Sequence, residues 1–544
     1  MAANRAVLRQ MMDYSSTHAA FDWIIPDQFN IATAICDHGL EHYPDRKAIV
    51  DIDKNGRATP HSFAAIDRDS NRLAHVLEGA GVGRGAAVGI LLPQRVETAW
   101  AHLATLKMGA VCLPLFVLFG PDALLHRLRD AKAKVVITDA KGALLLRELR
   151  SELPDLLVID VDDHGPMGLG PQMADAPVTF SSVHTRADDP AILIYTSGTT
   201  GPPKGALHGH RVLLGHLPGF EYGLNFAPYP DDVIWTPADW AWIGGLLDVL
   251  LPALYHGIPV VAHRFDKFTA QAAFDLMQDH NVTLAFLPPT ALKIMRLEPA
   301  PNPLALRAII SGGEALGADM IAWGEATFGC TINEIYGQTE CNLVLMSCAA
   351  LEPVTPGMMG RPVPGFDVAV LDQATGASVP DGQEGVIAVR APNPVMFLEY
   401  LGQSAATQDK YVENSDGRWL VTGDMGVRHA NGLFQFLGRE DDVISSAGYR
   451  IGPAEIETCL QTHPMVAMAG VVGTPDPIRG QIVAACVTLV EGARPSPTLA
   501  AEIAEHVKTR LAAYEYPRRV EFLDEMPMTP TGKIVRSALR KRLS

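Results

Sequence analysis

The chain has few cysteines, and their arrangement does not form a disulfide framework. Seven cysteines occur in 544 residues, an odd number with sparse spacing and no Cys-x-x-Cys pair. Disulfide scaffolds and zinc sites use even sets or closely spaced pairs of cysteine. Reduced thiols in a cytoplasmic protein are therefore expected.

A hydrophobic run suited to a membrane span is also missing. The most apolar stretch, 240–262, contains Asp248, Pro252 and Pro259. These residues favour a buried core segment over a transmembrane helix. Residues 1–16 lack the continuous apolar region of a secretory signal, so no secretion is expected.

Positive charge is in deficit. The chain has 44 Lys and Arg against 61 Asp and Glu, a net charge of −17. This balance argues against a general nucleic-acid binder but is compatible with a local basic pocket for an anionic ligand. The apolar fraction of 48% and the charged fraction of 19% are those of a globular protein.

Helical and strand patterns alternate along the first part of the chain. Apolar spacing predicts a helix over 30–43, and short apolar runs predict strands at 47–51 and 88–92. The alternation continues to residue 310, so the sequence predicts an α/β fold with doubly wound, mostly parallel sheets. A long apolar helix is expected after Asp239. Further strands are expected at 111–115, 135–138, 191–195, 233–235, 260–261, 283–286 and 308–310, and further helices at 62–81, 98–108, 124–131, 268–279 and 288–296.

The later part of the chain predicts two smaller units. Residues 365–437 are rich in short β-like runs and turns, which indicates a β subdomain. A polar, charged link follows at 438–442, and the remaining residues predict a compact, mobile α+β domain. The predicted organisation is thus an amino-terminal domain over 1–437, a hinge at 438–442 and a carboxyl-terminal domain over 443–544.

A glycine-containing polar loop follows the strand expected at 191–195. Its glycines allow a close backbone approach, its hydroxyls and N–H groups can hold an anion, and Lys204 adds a positive charge. It is not a Walker A loop, because three residues separate Gly201 from Gly205 and the lysine precedes the second glycine. The loop indicates phosphate binding, with a plain flexible loop as the alternative. Its residues include Thr196, Ser197, Gly198, Thr199, Thr200 and Lys204.

Two strings in the middle of the chain add to this loop. Ser311-Gly312-Gly313-Glu314 follows an expected strand and suits a close backbone approach, although a strand-to-helix turn is the simpler interpretation. In the string 334–340, Tyr336 offers a flat face for a purine, Thr339 a phosphate contact and Glu340 an oxygen ligand for Mg²⁺. The alternative for this second string is a buried tyrosine beside a solvated glutamate.

Three further strings follow in the second half. Asp424 closes Thr-Gly-Asp, where a carboxylate can accept from both ribose hydroxyls or form an ordinary Asx turn. The string 438–442 contains Arg439 and Asp441 and is otherwise a solvated linker. Lys533 closes a Pro-Met-Thr-Pro-Thr-Gly-Lys turn, a context in which a surface lysine is the usual interpretation.

Six such motifs in this order resemble those of the adenylate-forming enzymes, a family of acyl-CoA synthetases, luciferases and peptide-synthetase adenylation domains. The resemblance spans nearly the whole chain and implies ATP, Mg²⁺ and coenzyme A as ligands. It implies an adenylation role for Lys533, catalytic roles for Thr339 and Glu340, and a hinge at Asp441. The implied ATP or AMP contacts are Thr196, Ser197, Gly198, Thr199, Thr200, Lys204, Gly313, Glu314, Ala315, Glu334, Ile335, Tyr336, Gly337, Gln338, Thr339, Asp424 and Arg439; the implied coenzyme A side is Gly448, Tyr449 and Arg450.

The resemblance also implies an acyl pocket. Trp242, Ile243, Gly244, Gly312 and Gly337 are its expected lining. Acetate-specific members of the family carry tryptophan where this chain has Gly337, so the resemblance implies an open pocket floor. The expected substrate is a monocarboxylate larger than acetate, from short or branched to medium-chain. The chain has Cys341-Asn342-Leu343 where many relatives have Thr-Gly, so different residues are expected in the walls of the acyl pocket.

Several functions share these motifs. An aryl-CoA ligase, a free-standing adenylation enzyme for a carrier protein, a luciferase-like oxygenase and a non-catalytic nucleotide-binding protein are the alternatives to an acyl-CoA ligase. A nucleotide sensor would be expected to have lost the lysine, which is present. Enzymes that acylate and deacylate Lys533 are expected partners, because acylation would remove its charge.

Overall fold

The structure is a computed structural model. It describes residues 5–165, 168–196, 202–301, 304–313, 316–439, 442–528 and 534–543, with the side chains of Arg439 and Ala454 left out of the description.

Strands are distributed along the whole described chain. They are β1 (Lys47–Ile52), β2 (Ala58–Ser62), β3 (Ala87–Leu91), β4 (Val111–Pro114), β5 (Val135–Thr138), β6 (Leu157–Asp160), β7 (Pro190–Thr196), β8 (Lys204–Gly209), β9 (Ile234–Trp235), β10 (Val260–Ala262), β11 (Leu284–Phe286), β12 (Ala308–Gly312), β13 (Ile332–Tyr336), β14 (Leu345–Met346), β15 (Arg361–Pro362), β16 (Val368–Leu371), β17 (Glu384–Ala391), β18 (Glu399–Tyr400), β19 (Tyr411–Asn414), β20 (Gly417–Arg428), β21 (Phe434–Arg439), β22 (Ile444–Ser446), β23 (Tyr449–Ile451), β24 (Val466–Asp476), β25 (Gly480–Leu489) and β26 (Arg519–Phe522).

Helices connect these strands, and many begin at a capping side chain. Asn30 and Ser62, for example, accept hydrogen bonds from N–H groups in the first turn of their helices. These N–H groups have no partner within the helix itself. The helices are α1 (Tyr14–Ala19), α2 (Ile31–His42), α3 (Phe63–Gly79), α4 (Val96–Lys107), α5 (Pro121–Asp130), α6 (Ala140–Glu148), α7 (Leu169–Asp175), α8 (Val212–Gly223), α9 (Ile243–Gly245), α10 (Leu251–His256), α11 (Ala270–Asp279), α12 (Pro289–Met295), α13 (Ala318–Phe328), α14 (Ser404–Gln408), α15 (Pro453–Gln461), α16 (Pro497–Arg510) and α17 (Arg536–Leu543), with a π-helical segment at Leu246–Leu250 between α9 and α10.

Two large, mostly parallel sheets form the body of the fold. One has the strand order β15-β14-β13-β12-β11-β9-β10-β1-β2, and the other has the order β18-β8-β7-β4-β3-β5-β6. The main core joins Ile49 and Val260 of the first sheet with Val88 and Ile90 of the second, and all four side chains are buried. Helices α2, α3, α4, α8 and α10 contribute to the same core, so they lie between the sheets. This confirms the predicted α/β class with mostly parallel sheets.

The remaining strands form two smaller sheets. Strands β16, β17, β20, β19 and β21 make an antiparallel sheet, which confirms the β subdomain expected over 365–437. Strands β23, β22, β25, β24 and β26 make the last sheet, with α15, α16 and α17 against it. The predicted α+β composition of the last hundred or so residues is therefore confirmed.

The last sheet and its helices contact the body through α5 and through the rings of Tyr449 and Tyr514, which lie against Phe116 and Trp242. The Gly120 N–H donates to the Leu511 carbonyl at 2.7 Å, and Arg127 Nη1 lies 3.4 Å from Glu455 Oε1. Burial raises the pKa of Glu515, which lies near Glu455 and Arg127, to about 8.

The helix expected after Asp239 departs from regular α geometry. It is a short α9, a π-helical segment over Leu246–Leu250, and then α10. Pro252 lacks the N–H that would donate to the Asp248 carbonyl in a continuous α-helix, which accounts for the break in register. Within the described ranges, no helix is long and apolar enough to cross a membrane, and the segment around Trp240 and Leu251 is buried core, as expected.

Candidate active site

A cavity of about 750 Å³ opens where the parallel strands of the larger sheet end. Phe286 ends β11, Gly312 ends β12 and Gly337 follows β13, and all three line it. Parallel sheets bind ligands in the crevice outside the carboxyl ends of their strands. Thr196 and Lys204, which flank the predicted phosphate loop, line the same cavity.

Basic side chains collect at this cavity although the chain is acidic overall. The lining includes Lys204, Arg264, Lys410, Arg450 and Arg479. Lys410 donates to Gln338 Oε1 at 3.1 Å, so it is tied to the 334–340 string. Carboxylates line the cavity as well, at Asp239, Asp248, Glu340 and Asp409, and Arg264 is paired with Asp239 at 2.8 Å. Cations such as Lys204 and Lys410 would offset the charge of a phosphate ligand. Lys410 was not singled out from the sequence because no local motif marks it.

Tyr336 and Asp424 lie side by side, and although their neighbours Gly337 and Gly423 line the cavity, these two residues themselves do not. The Tyr336 hydroxyl donates to Asp424 Oδ2 at 2.7 Å, and the Asp424 N–H donates to Thr422 Oγ1 at 3.1 Å. Gln338 Nε2 donates to the Thr422 carbonyl at 3.0 Å. The structure thus brings together the two strings predicted to contact the nucleotide. Burial raises the pKa of the Tyr336 hydroxyl, so it remains a neutral donor.

Glu340 has the surroundings of a metal-binding carboxylate. Glu340 lines the cavity and is 7% exposed, and its Oε1 accepts a hydrogen bond from the Tyr400 hydroxyl. Burial and the neighbouring Glu340 carboxylate raise the pKa of Tyr400. In the described ranges no group of three or more His, Cys, Asp or Glu forms a protein-only metal site. A single carboxylate beside phosphate oxygens is a normal way to hold Mg²⁺, so the residues fit this ion.

Glu334 has a structural role beside the site. Its Oε1 accepts from the Leu316 N–H at 2.9 Å, while its buried Oε2 has no partner within the described ranges. Burial raises the pKa of this carboxyl to about 7. The contact holds the backbone at Leu316.

The expected acyl-pocket residues all line the cavity. Trp242, Ile243, Gly244, Gly312 and Gly337 do so together with an aromatic set of Phe116, Phe265, Phe268 and Phe286. A Cβ on Gly312 would lie 2.4 Å from the Ile335 carbonyl oxygen, so only glycine fits this approach.

Gly337 has a different setting from the one expected. A Cβ there would lie 2.4 Å from the Leu343 backbone nitrogen and 2.8 Å from the Asn342 carbonyl carbon. The space that an adjacent side chain would need is filled by the Cys341–Leu343 turn, in which Leu343 has φ of 34°. The expectation that the missing side chain at Gly337 leaves an open floor is therefore wrong: main chain occupies that place.

The turn between β22 and β23 reaches the cavity from the last sheet. Gly448, Tyr449 and Arg450 line it, and the Gly448 carbonyl oxygen lies 3.5 Å from the place of a Gly313 Cβ. The Tyr449 ring stacks on Tyr514 with centroids 4.2 Å apart, beside Phe116 and Trp242. The predicted coenzyme A side is thus at the cavity.

Several predicted residues lie outside the described residues: Ser197, Gly198, Thr199, Thr200, Glu314, Ala315, Asp441 and Lys533, together with the side chain of Arg439. The flanks of Lys533, meaning the nearest described residues on its two sides, are Met528 and Ile534. Met528 bridges to Ile534, and Ile534 packs at Gly470 on β24. Neither flank lines the cavity.

Comparisons with known proteins agree with this geometry. A model of the AMP-binding enzyme family matches residues 36–401, and one of the AMP-binding enzyme C-terminal domain matches 455–533. The mouse mitochondrial acyl-coenzyme A synthetase ACSM3 is 32% identical over 99% of this chain and 94% of its own length. The Bacillus subtilis acetyl-coenzyme A synthetase is 31% identical over 97% and 95%. A solved acyl-CoA synthetase from Brucella canis is 33% identical with a TM-score of 0.71, over 98% of this chain and 99% of its own. Over nearly its whole length, the chain therefore belongs to the AMP-binding enzyme family, the adenylate-forming acyl-CoA synthetases.

Proposed function

We propose that the protein activates a monocarboxylic acid larger than acetate to acyl-AMP with ATP and then transfers the acyl group to coenzyme A. The proposal rests on one cavity that is lined by Lys204, Thr339 and Glu340 and also by an apolar compartment. The apolar compartment consists of Trp242, Phe116, Phe265, Phe268 and Phe286. Each CH₂ buried in such a compartment stabilises binding by about 0.8 kcal/mol, which favours acids larger than acetate.

The first half-reaction joins the acid to AMP. A carboxylate oxygen of the acid attacks the α-phosphorus of ATP, the bond to the bridging oxygen breaks, and pyrophosphate leaves. The residues Lys204, Lys410 and Lys533 offset the repulsion between the two anions and hold them in line. Glu340 holds the Mg²⁺, which neutralises phosphate charge when bound.

In the second half-reaction, coenzyme A must reach the acyl group where Lys533 acts in the first. The coenzyme A thiolate attacks the acyl carbonyl carbon, and AMP leaves with the oxygen that came from the acid. The turn over 448–450 lines the cavity while the flanks of Lys533 do not, an arrangement suited to this step. Adenylation then requires rotation of a domain over 443–544 against a domain over 1–437, about a hinge at 438–442.

The experiment is product analysis with a panel of acids. Purified protein with ATP, Mg²⁺, coenzyme A and acids from acetate to octanoate is expected to release AMP and pyrophosphate and to prefer an acid beyond acetate in kcat/KM. Formation of ADP and phosphate would contradict the ligase chemistry. A preference for acetate would contradict the pocket assignment only.

An aromatic acid is the second candidate substrate. Phe116, Phe265, Phe268, Phe286 and Trp242 give the apolar compartment several ring faces and edges. Benzoate and substituted benzoates belong in the same panel. A benzoate kcat/KM above that of every aliphatic acid would establish the aryl-CoA ligase instead.

We further propose that acylation of Lys533 switches the enzyme off and that the protein works in the cytoplasm. Loss of the lysine charge removes a stabilising cation from the adenylation step, and the seven cysteines are all unpaired, as in a reducing compartment. Full activity of protein acetylated at Lys533 would contradict the first proposal. Recovery of the native protein in a membrane-enclosed or secreted fraction would contradict the second.

A further inference from the structure

The apolar compartment of the cavity contains a buried polar cluster. Asp248 and Asn342 both line the cavity, and His216 lies behind them with no exposure. Asn342 Nδ2 lies 2.8 Å from His216 Nε2 and 2.5 Å from Asp248 Oδ1. A pocket for a purely aliphatic chain has no use for three polar side chains, since burying them costs free energy.

Hydrogen-bond geometry determines which atoms of this cluster are already used. His216 Nδ1 lies 2.7 Å from the Val212 carbonyl, so Nδ1 carries the proton and donates. Burial lowers the pKa of His216 to about 4, and the neutral ring therefore presents Nε2 as an acceptor. Asn342 consequently uses both amide hydrogens, one for His216 Nε2 and one for Asp248 Oδ1.

Two acceptor oxygens are left over. Within the described ranges, the hydrogen bonds of this pair use Asp248 Oδ1 and Asn342 Nδ2 and leave Asp248 Oδ2 and Asn342 Oδ1 without a described donor, and both residues line the cavity. Oδ2 of Asp248 lies 3.4 Å from the place of a Gly244 Cβ, next to the predicted acyl pocket. The cluster thus offers acceptors to a ligand in the cavity.

No described cation lies beside Asp248 to stabilise its ionised form. The nearest basic side chain is His216, whose Nε2 lies 4.0 Å from Asp248 Oδ1 and whose ring is neutral. Burial raises its pKa well above the ordinary range, and the Asn342 hydrogen bond opposes this only in part. The carboxyl therefore favours its protonated form, and a ligand that brings a hydrogen-bond donor, above all a cationic one, would stabilise the ionised form.

Local backbone geometry holds the cluster in place. Asp248 is the central residue of the π-helical segment Leu246–Leu250, a conformation that is frequent at functional sites. Asn342 sits in the turn where Leu343 has a positive φ and the main chain packs on Gly337. Both irregular segments aim polar side chains at the same part of the cavity.

We propose that Asp248 and Asn342 select acids that carry a hydrogen-bond donor, a hydroxyl or an ammonium group, on the acyl chain away from the reacting carboxylate. This inference rests on the proposed ligase function and specifies its substrate class. Gly244 leaves Asp248 accessible, and the surrounding phenylalanines bind the apolar part of the same acid. A site built to hydrogen-bond a substrate group rejects the analogue that lacks it.

The test compares matched acids that differ in one group. Straight-chain acids from butanoate to octanoate and para-substituted benzoates are assayed with a methyl, hydroxyl or amino group at the far end. For at least one chain length, kcat/KM of wild-type protein is expected to be at least about tenfold higher for the donor-bearing acid than for its methyl counterpart. Methyl-ended acids that equal or exceed their counterparts at every length would overturn the inference, while their turnover to AMP would leave the ligase function standing.

Variants then assign the preference to the cluster. In Asp248→Leu the ratio of donor-bearing to methyl-ended kcat/KM is expected to fall at least about tenfold, with the KM for ATP unchanged. Leu247→Ala is the matched control, because Leu247 is buried in the same segment and does not line the cavity. Equal loss with both acids in Asp248→Leu would indicate a merely structural role and overturn the assignment.

A shape-preserving variant covers the case in which Asp248→Leu fails to fold. Asp248→Asn removes only the acidic group. If kcat/KM falls more for the amino-substituted acid than for the hydroxyl-substituted acid, the ligand group is an ammonium. If kcat/KM falls equally for both, the ligand group is a hydroxyl. An unchanged ratio for both would contradict selection by this carboxyl.

Discussion

A Cβ atom on Gly337 would lie 2.4 Å from the backbone nitrogen of Leu343. Any side chain at this position must displace the Cys341–Leu343 turn. We expect Gly337→Ala to reduce stability by about 1–3 kcal/mol through overpacking and to lower kcat/KM for every acid alike. Thermal unfolding and the acid panel measure this.

The close packing of Gly337 and Leu343 also changes the result expected for Gly337→Trp, which introduces the residue that acetate-specific relatives carry. The tryptophan of those relatives suggests that Gly337→Trp excludes long acids and shifts the preference toward acetate or propionate. With the turn in place, loss of activity toward all acids is the expected result instead. Gly79→Ala is the control, because a Cβ there meets nothing within 4 Å. A stable Gly337→Trp protein that prefers acetate would contradict this account of the turn.

Lys533 is expected to act in the first half-reaction only. Lys533→Ala should lower acyl-AMP formation by about 10²–10³-fold, because the lysine faces charge that develops in that step. Thioester formation from supplied acyl-AMP should stay close to wild type. Lys541→Ala, at an exposed position of α17, is the control. Equal losses in the two half-reactions would count against the role.

Asp441 is expected to be the hinge. Asp441→Pro fixes φ and removes an N–H, so it should preserve one half-reaction and impair the other severely. Asp441→Ala leaves φ free and should retain most activity. Separate rates for acyl-AMP formation and for thioester formation measure the effect, and an Asp441→Pro protein with normal overall turnover would refute the assignment.

Glu334 predicts a dependence of stability on pH. Its folded-state pKa of about 7 lies above the ordinary value of 4.5, so the folded state binds the proton more tightly than the unfolded state. The stabilising contribution is complete below pH 4.5 and is lost as the pH rises through about 7. Relative to Glu334→Gln, wild type should lose roughly 3 kcal/mol over this interval. Chemical unfolding of both proteins at several pH values measures the difference; a constant difference would contradict the burial of this carboxyl.

The sequence predicted the parts of the fold that depend on local patterns. Helix α2 and strands β1, β3 and β5 follow from apolar spacing, and their observed ends lie within a few residues of the predicted ones. Helix α8 was missed, because it is buried all round, contains Pro218 and has no amphipathic pattern. The break at Leu246–Leu250 was also missed, although Pro252 is a local signal for it.

The candidate site was predictable where chemistry is concentrated in short strings. Glu340, Tyr449 and Gly312 belong to such strings, and the structure brings them to one cavity. Tyr400 and Lys410 come from distant segments with no motif, and only the fold places them against Glu340 and Gln338. The buried polar cluster was not predictable for the same reason, because it joins Asp248 and Asn342 across 94 residues of sequence.

Oxygen transfer from the acid to AMP tests the central claim most directly. The acid is labelled with heavy oxygen in its carboxylate and converted with ATP and coenzyme A, and the nucleotide product is analysed by mass spectrometry. If the carboxylate attacks the α-phosphorus, one labelled oxygen must appear in the phosphate of AMP and none in pyrophosphate. Label in inorganic phosphate with ADP as the nucleotide product, or unlabelled AMP, would contradict an acyl-adenylate intermediate.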